Sequence, residues 1–272
     1  LPRRSRLMAD GPAMDRPRVI VTRPLAQALP WVEALRAAGV EAAALPLIDI
    51  EPLADPAPLR AAWQGLAGCA LVMFVSPNAV AHFFAARPAG AAWPTATLAG
   101  STGPGTSAAL RESGVPPACI VEPLPGAPFD TESLWARLQA RDWQDRRVLV
   151  VRGEDGRDWL AGQLRAAGAA VEPLAAYRRA APRPDAAANA LLAAAVAAPE
   201  RHCWVFSSSE AIGHLRALAP GADWSRAHAL ASHPRIAQTA REAGFGDVQL
   251  VDPRPQAVAE AVAHNASQPS LP

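Results

Sequence analysis

The strongest constraint on the fold of this chain is that it repeats itself. LRAAG occurs at residues 35–39 and again at 164–168. Each copy follows an apolar run that closes on arginine, VIVTR at 19–23 and VLVVR at 148–152. Val19 to Val148 and Leu35 to Leu164 are the same shift, 129 residues. Further along, VMFVSPNAVAHF (72–83) matches CWVFSSSEAIGHL (203–215), with Phe74 on Phe206 at a shift of 132. A third pair, GSTGPGTSAALRESGV (100–115) and ASHPRIAQTAREAGF (231–245), aligns Pro104 with Pro234, Arg111 with Arg241, Glu112 with Glu242 and Gly114 with Gly244 at 130. Three blocks in one order at nearly one spacing describe a single unit used twice.

Each copy reads as strands alternating with amphipathic helices. Helices are expected over 25–38, 57–66, 78–86 and 104–113 in the first copy, and over 156–167, 185–197, 209–218 and 234–243 in the second. Apolar strands between such helices imply parallel sheets covered on both faces. The fold class is therefore α/β, with two doubly wound parallel-sheet, Rossmann-like domains. Two segments in equivalent places, ALPLIDIEPL and VEPLAAYRRAAP, carry prolines that a central strand rejects, and they read as crossovers between the domains. That gives one discontinuous domain of residues 1–45 and 182–272 and a second of 46–181. Two sequential domains split near residue 140 are the alternative.

At 272 residues the chain has room for two cores. Its basic residues are all arginine, and the net charge is +1, without the basic block that nonspecific nucleic-acid binding needs. Cys69, Cys119 and Cys203 show no metal-type spacing and read as reduced, buried thiols. No run approaches the roughly 20 apolar residues of a membrane span. Residues 1–16 are basic but lack the apolar centre of an export signal; they and 264–272 are expected to be tails. A cytoplasmic monomer is the expectation.

In open α/β sheets, ligands sit where strands end and helices begin. The turns at stake are TRP (22–24), SPN (76–78), GSTGPGT (100–106), RGEDG (152–156), SSSE (207–210) and ASHPR (231–235). Their small and hydroxylic residues suit either ordinary helix caps or the capture of carboxylate and phosphate by free backbone N–H groups. Six such turns in a duplicated fold favour anion binding. No nucleotide signature is present: GSTGPGT is not G-x-G-x-x-G, and a P-loop needs a lysine. No histidine or carboxylate cluster indicates a metal, and no motif indicates a covalent nucleophile. The eight tryptophans read as packing. Tyr177, the one tyrosine, has two readings: a phenol holding its proton at neutral pH as a weak general acid, or a ring packed against a neighbouring sheet.

Taken together, VIVTRP, FVSPNAV, LAGSTGPGTSAALRESG, VLVVRGEDGRDWLAGQLRAAGAAVEPLAAYRR, VFSSSEAI and SHPRIAQTAREAGF resemble the uroporphyrinogen-III synthase family of tetrapyrrole biosynthesis, over about residues 17 to 262. The resemblance implies two α/β domains joined by a two-stranded connector, with a cleft between them. It implies a lyase that expels the hydroxyl of hydroxymethylbilane as water, inverts the last pyrrole through a spiro intermediate and closes the ring to uroporphyrinogen III, without cofactor or metal. Tyr177 matches the family tyrosine proposed to protonate the departing hydroxyl. Arg23, Ser76, Asn78, Gly103, Gly105, Thr106, Arg152, Gly153, Ser207, Ser208, Ser232 and Arg235 are the expected substrate contacts. Val75 departs from the threonine that the family often has there. Two rivals share the fold pattern: a noncatalytic two-domain protein that closes on a small acid, and a nucleotide-sugar transferase. The first is usually exported, and the second lacks its nucleotide contacts here.

Overall fold

The computed structural model describes residues 17–154 and 159–265. The first copy of the repeat supplies β1 (Arg18–Val21), α1 (Leu25–Ala37), β2 (Ala42–Ala44), β3 (Asp49–Pro52), α2 (Ala57–Gln64), β4 (Cys69–Phe74), α3 (Pro77–Ala85), β5 (Leu98–Ser101), α4 (Pro104–Glu112), β6 (Ile120–Val121) and α5 (Thr131–Leu138). The second supplies β7 (Arg147–Gly153), α6 (Trp159–Ala166), β8 (Ala170–Ala180), α7 (Ala186–Ala197), β9 (His202–Phe206), α8 (Ser209–Leu218), β10 (His228–Ala231), α9 (Pro234–Glu242), β11 (Asp247–Leu250) and α10 (Pro255–Asn265).

These elements form two compact units, one of residues up to Asp49 with Ala181 onward, the other Ile50–Ala180. The first holds a parallel sheet in the order β11-β10-β9-β1-β2. The second holds the order β3-β8-β7-β4-β5-β6, parallel from β8 through β6. Doubly wound parallel α/β sheets are thus the architecture.

The repeat is visible in the elements themselves. Helices α4 and α9 have the same length and begin on Pro104 and Pro234. Gly114 and Gly244, just past their ends, have φ of 90° and 98°, and Gly39 and Gly168 after α1 and α6 have 78° and 93°. This left-handed backbone closes a helix and favours glycine. Equivalent strands take equivalent places: β2-β1-β9-β10-β11 in one sheet corresponds to β8-β7-β4-β5-β6 in the other. Each unit therefore joins the opening part of one copy to the closing part of the other.

Burial follows the two-residue period of strands. In the second unit Val72, Phe74, Leu149 and Val151 pack on one face of the sheet with residues of α2, α3 and α4. Leu71, Met73, Val148 and Val150 pack on the other with Leu134 and Leu138 of α5 and Leu160 and Leu164 of α6. In the first unit Val19, Val21, Cys203, Val205 and Leu230 meet α1 and α10. An aromatic group of Trp204, Phe206, Trp224 and Phe245 forms a second cluster, with the Trp224 and Phe245 rings stacked at 5.4 Å. All three cysteines are buried and free, and burial pushes the Cys203 thiol up to about 12, which keeps it inert.

The two proline-bearing segments carry the chain between the units. The first breaks at Pro46 into β2 of one sheet and β3 of the other; the second stays in the six-stranded sheet as β8 until Ala180. Pro173 is accommodated because β3 is only four residues long. The Arg178–Glu51 ion pair, with Nε donating at 2.8 Å, sets β3 against the C-terminal half of β8, away from the proline. Four elements are absent from the sequence reading: β6, α5, β11 and α10. For α5 a signal existed, because Asp130 is an N-cap whose carboxylate accepts from the Ser133 N–H at 2.7 Å.

Gly246 has a steric reason for its identity. A Cβ there would lie 1.8 Å from the Ser225 carbonyl oxygen, and the Gly246 N–H donates to the Trp224 carbonyl at 3.2 Å. The backbone must therefore shift to admit any side chain. Gly246→Ala is expected to cost about 3 kcal/mol, read as a lowered urea midpoint; an unchanged midpoint would contradict this packing.

Candidate active site

In a parallel sheet all strand C-termini share one edge, and there the chain turns into helices whose first N–H groups are unpaired. On the second unit's edge, β4 runs through the exposed Val75 to Ser76, the N-cap of α3. The Ser76 Oγ accepts from the Ala79 N–H at 3.2 Å and lies 3.1 Å from the Tyr177 hydroxyl. Ser76 and Asn78 are half-buried. Pro77 at the first helical position needs no N–H partner.

Beside it, β5 leads into Gly103, the N-cap of α4, which provides no side-chain cap. A Cβ on Gly103 would meet nothing within 4 Å, and one on Gly105 only Pro77 at 3.6 Å. Glycine here leaves room above the helix start, where Pro104 has no N–H and the Thr106 and Ser107 N–H groups donate to the Gly103 carbonyl. The loop is held from beneath: the Ser101 Oγ donates to the Gly103 carbonyl at 3.0 Å and lies 2.8 Å from the Ser107 Oγ. Thr106 is buried, its N–H donating to the Gly103 carbonyl.

Tyr177 lies on β8 opposite Gly153 of β7. A Cβ at Gly153 would come within 3.1 Å of the ring, so glycine at this position leaves the space that Tyr177 fills. The tyrosine is only 1% exposed, and the His82 ring stacks on it at 5.7 Å. Its phenol oxygen lies 3.1 Å from the half-buried Ser76 Oγ. The ring is packed, as one of the two sequence readings has it, and its hydroxyl contacts Ser76. Arg152, the residue before Gly153, is half-buried; the later part of its turn, from residue 155 to 158, lies outside the described residues.

The first unit repeats this edge with different residues. Arg23 follows β1 and is half-buried, its guanidinium 4.4 Å above the Trp31 ring, with Nη1 donating to the Gln27 Oε1 at 3.3 Å. Its Nε is buried without a hydrogen-bond partner, and burial holds the group below its ordinary value. A buried cation short of acceptors gains from an incoming carboxylate. Ser208 caps α8, accepting from the Glu210 N–H at 3.2 Å, in the place Ser76 takes in the other unit. Ser207 beside it is half-buried. Ser232 and Arg235 flank His233, the N-cap of α9, whose Nδ1 accepts from the Arg235 N–H at 3.2 Å.

His82 had no signal in the sequence, since its meaning depends on a stack formed 95 residues away along the chain. Burial holds its imidazole below the ordinary 6.5. The fold therefore favours the neutral ring, and the unfolded chain takes up a proton first as pH falls. Its contribution to stability is present above about pH 6.5 and is lost as pH drops through the lower folded value. The urea midpoint is expected to fall between pH 7.5 and pH 5, and His82→Phe, which keeps the stack without a titrating group, is expected to reduce that fall. Equal falls in both proteins would remove His82 as the cause.

Comparison with known proteins places this arrangement. The family model described as "Uroporphyrinogen-III synthase HemD" matches residues 30–259. The chain is 30% identical over 253 residues to uroporphyrinogen-III synthase of Salmonella typhimurium, covering 86% of this chain and 94% of that protein. It is 29% identical over 244 residues to the Escherichia coli K12 enzyme, with the same coverage. In fold it resembles a mutant uroporphyrinogen III synthase from the extreme thermophile Thermus thermophilus, with a TM-score of 0.54 at 20% identity over 92% of this chain and 98% of that one. The corresponding protein of Helicobacter pylori 26695 gives a TM-score of 0.53 at 14% identity over 93% and 100%. A match across most of the chain, to a family already legible in its ordered motifs, settles the membership: the chain belongs to the uroporphyrinogen-III synthase family.

Proposed function

We propose that this chain carries out the dehydrative closure of hydroxymethylbilane to uroporphyrinogen III, inverting the last pyrrole, and that Ser76 hands over the proton on which departure of the hydroxyl depends. The contact that carries this reading is the 3.1 Å approach of the Ser76 Oγ to the Tyr177 hydroxyl. A serine hydroxyl has two acceptor sites and one proton. The Ala79 N–H fills one acceptor site, and a Tyr177 O–H donating to the same oxygen fills the other. The serine proton is then left to point away from the protein, towards a ligand. The substrate-side donor in this reading is Ser76, and Tyr177 is the positioning residue that replenishes it.

The proton balance fits. Loss of hydroxide as water consumes one proton, and ring closure releases one from the pyrrole carbon that forms the new bond. A buried phenolate is costly, so the relay serves as a transient donor, reset within the same turnover. Positioning remains the larger catalytic contribution, since the activated bilane closes unaided to the non-inverted isomer and the enzyme must fix which ends meet. The capped helix starts at Ser76 and Ser208, the open backbone around Gly103 and Gly105, and Arg23, Arg152 and Arg235 suit the acetate and propionate groups of such a substrate. The same reading has the protein acting as a cytoplasmic monomer, without cofactor, metal, nucleic acid or membrane partner. Among the described residues, no helix is long and apolar enough to cross a membrane.

The test is to incubate the protein with hydroxymethylbilane, oxidise the products and resolve the type I and type III isomers. Excess type III is expected; type I alone would overturn the assignment. Within it, Tyr177→Phe and Ser76→Ala are each expected to slow turnover by about 10²-fold while type III stays in excess. A fully active Ser76→Ala protein beside a slow Tyr177→Phe protein would mean that the tyrosine acts without the serine. Arg23→Met keeps the buried stem and removes the charge. It is expected to hold or raise Tm while KM rises about tenfold; a lower Tm with an unchanged KM would make Arg23 structural.

A further inference from the structure

The large apolar side chains left exposed are not scattered. Among the described residues they are Leu25, Leu29, Val75, Leu124, Phe129, Trp159 and Leu250. Leu25 and Leu29 lie on the first turns of α1, Val75 follows β4, Leu124 and Phe129 lie between β6 and α5, Trp159 opens α6 and Leu250 ends β11. Each therefore ends or follows a strand of its own sheet along the chain, on the side where a parallel sheet passes into its helices; Leu25 and Leu29 line a cavity together with Arg18 and Leu191. Exposed apolar residues taken singly mean nothing, but two exposed aromatic rings on neighbouring elements of one unit do.

In the second unit the edge is divided by chemistry. Helices α3 and α4 lie on one face of the sheet and begin with a neutral hydroxyl cap and an uncapped glycine. Helices α5 and α6 pack against each other on the opposite face. There Phe129 is 51% exposed beside the start of α5, and Trp159 is 41% exposed at the start of α6. The Asp130 carboxylate already occupies the N-terminus of α5, accepting from the Ser133 N–H at 2.7 Å, so that helix start repels an anion. Of the eight tryptophans, Trp159 alone is exposed; Trp31 and Trp135 are half-buried and the other five are buried.

We infer that Phe129 and Trp159 are ring-binding residues, presenting aromatic faces to pyrroles of the linear tetrapyrrole while its carboxylates are held by the helix starts of α3 and α4. This rests on the reading of the reaction given above. A tetrapyrrole has flat electron-rich rings and a charged fringe, and an edge that is aromatic on one side and polar on the other matches both. Stacked aromatic contacts of this kind add to simple burial of area.

Trp159→Leu and Phe129→Leu keep apolar bulk and remove the ring. Each is expected to raise KM for hydroxymethylbilane about three- to tenfold with kcat nearly unchanged, since a contact made equally before and during reaction affects binding alone. Titration with uroporphyrinogen III under anaerobic conditions is expected to quench tryptophan fluorescence in the wild-type protein, and Trp159→Leu is expected to lose most of that quench. Thermal melting shows that each variant is folded. Wild-type KM in both variants, or a wild-type quench in Trp159→Leu, would overturn the inference while leaving the reaction assigned. Type I product alone from the wild-type protein would instead overturn the reaction, and this inference with it.

Discussion

Everything functional in this protein depends on strands that run the same way. A parallel sheet cannot be built from hairpins; each strand must be followed by a crossover, and each crossover begins at the same edge. Ser76, Gly103, Gly153, Ser208 and Ser232 lie far apart in sequence yet close a strand or open a helix on such an edge. The burial pattern enforces this. Alternate residues of β4 and β7 face opposite clusters, so a slip of one residue would turn Phe74 and Val72 to the wrong side and displace Ser76 with them. The 3.1 Å contact between Ser76 and Tyr177 is in this sense a consequence of core packing.

Much of this was legible in the sequence because repetition and period are local signals. The shifts of 129, 130 and 132 reappear as matched helix starts and matched left-handed glycines, and the α/β class and family follow from the same blocks. Short elements were less legible. Strand β6 has two residues, too few for any period, and the cap of α5 was visible but unread. Among the residues singled out, Thr106 and Gly153 are buried. Composition alone cannot separate a glycine that opens a loop from one that makes room for a ring. The first describes Gly103 and the second Gly153, and only the distance to the Tyr177 ring distinguishes them.

Tryptophan gave the opposite difficulty. Eight residues of one type in an alanine-rich chain read alike, and burial assigns most of them to cores. Trp63 stacks with Phe83 and donates its indole N–H to the Phe83 carbonyl at 2.8 Å, and Trp143 donates to the Leu138 carbonyl at 2.9 Å. Such bonds satisfy a buried polar group. Trp159 falls outside that pattern through exposure, a property with no signature in the order of residues.

The exchange of parts between the two copies has a consequence for how the chain matures on the ribosome. Residues 50–180 are contiguous, so that unit has its whole sheet available once its last strand has emerged. The other unit has Val19, Ile20 and Val21 in an interior strand of its sheet but receives β9, their partner on one side, only from residue 202 onward. Strand β1 must therefore wait, paired at most with β2, while about 160 further residues are synthesised at the usual several per second. Of the described elements, β1 and β2 are the ones most exposed to mispairing, and the ones a chaperone has most reason to hold.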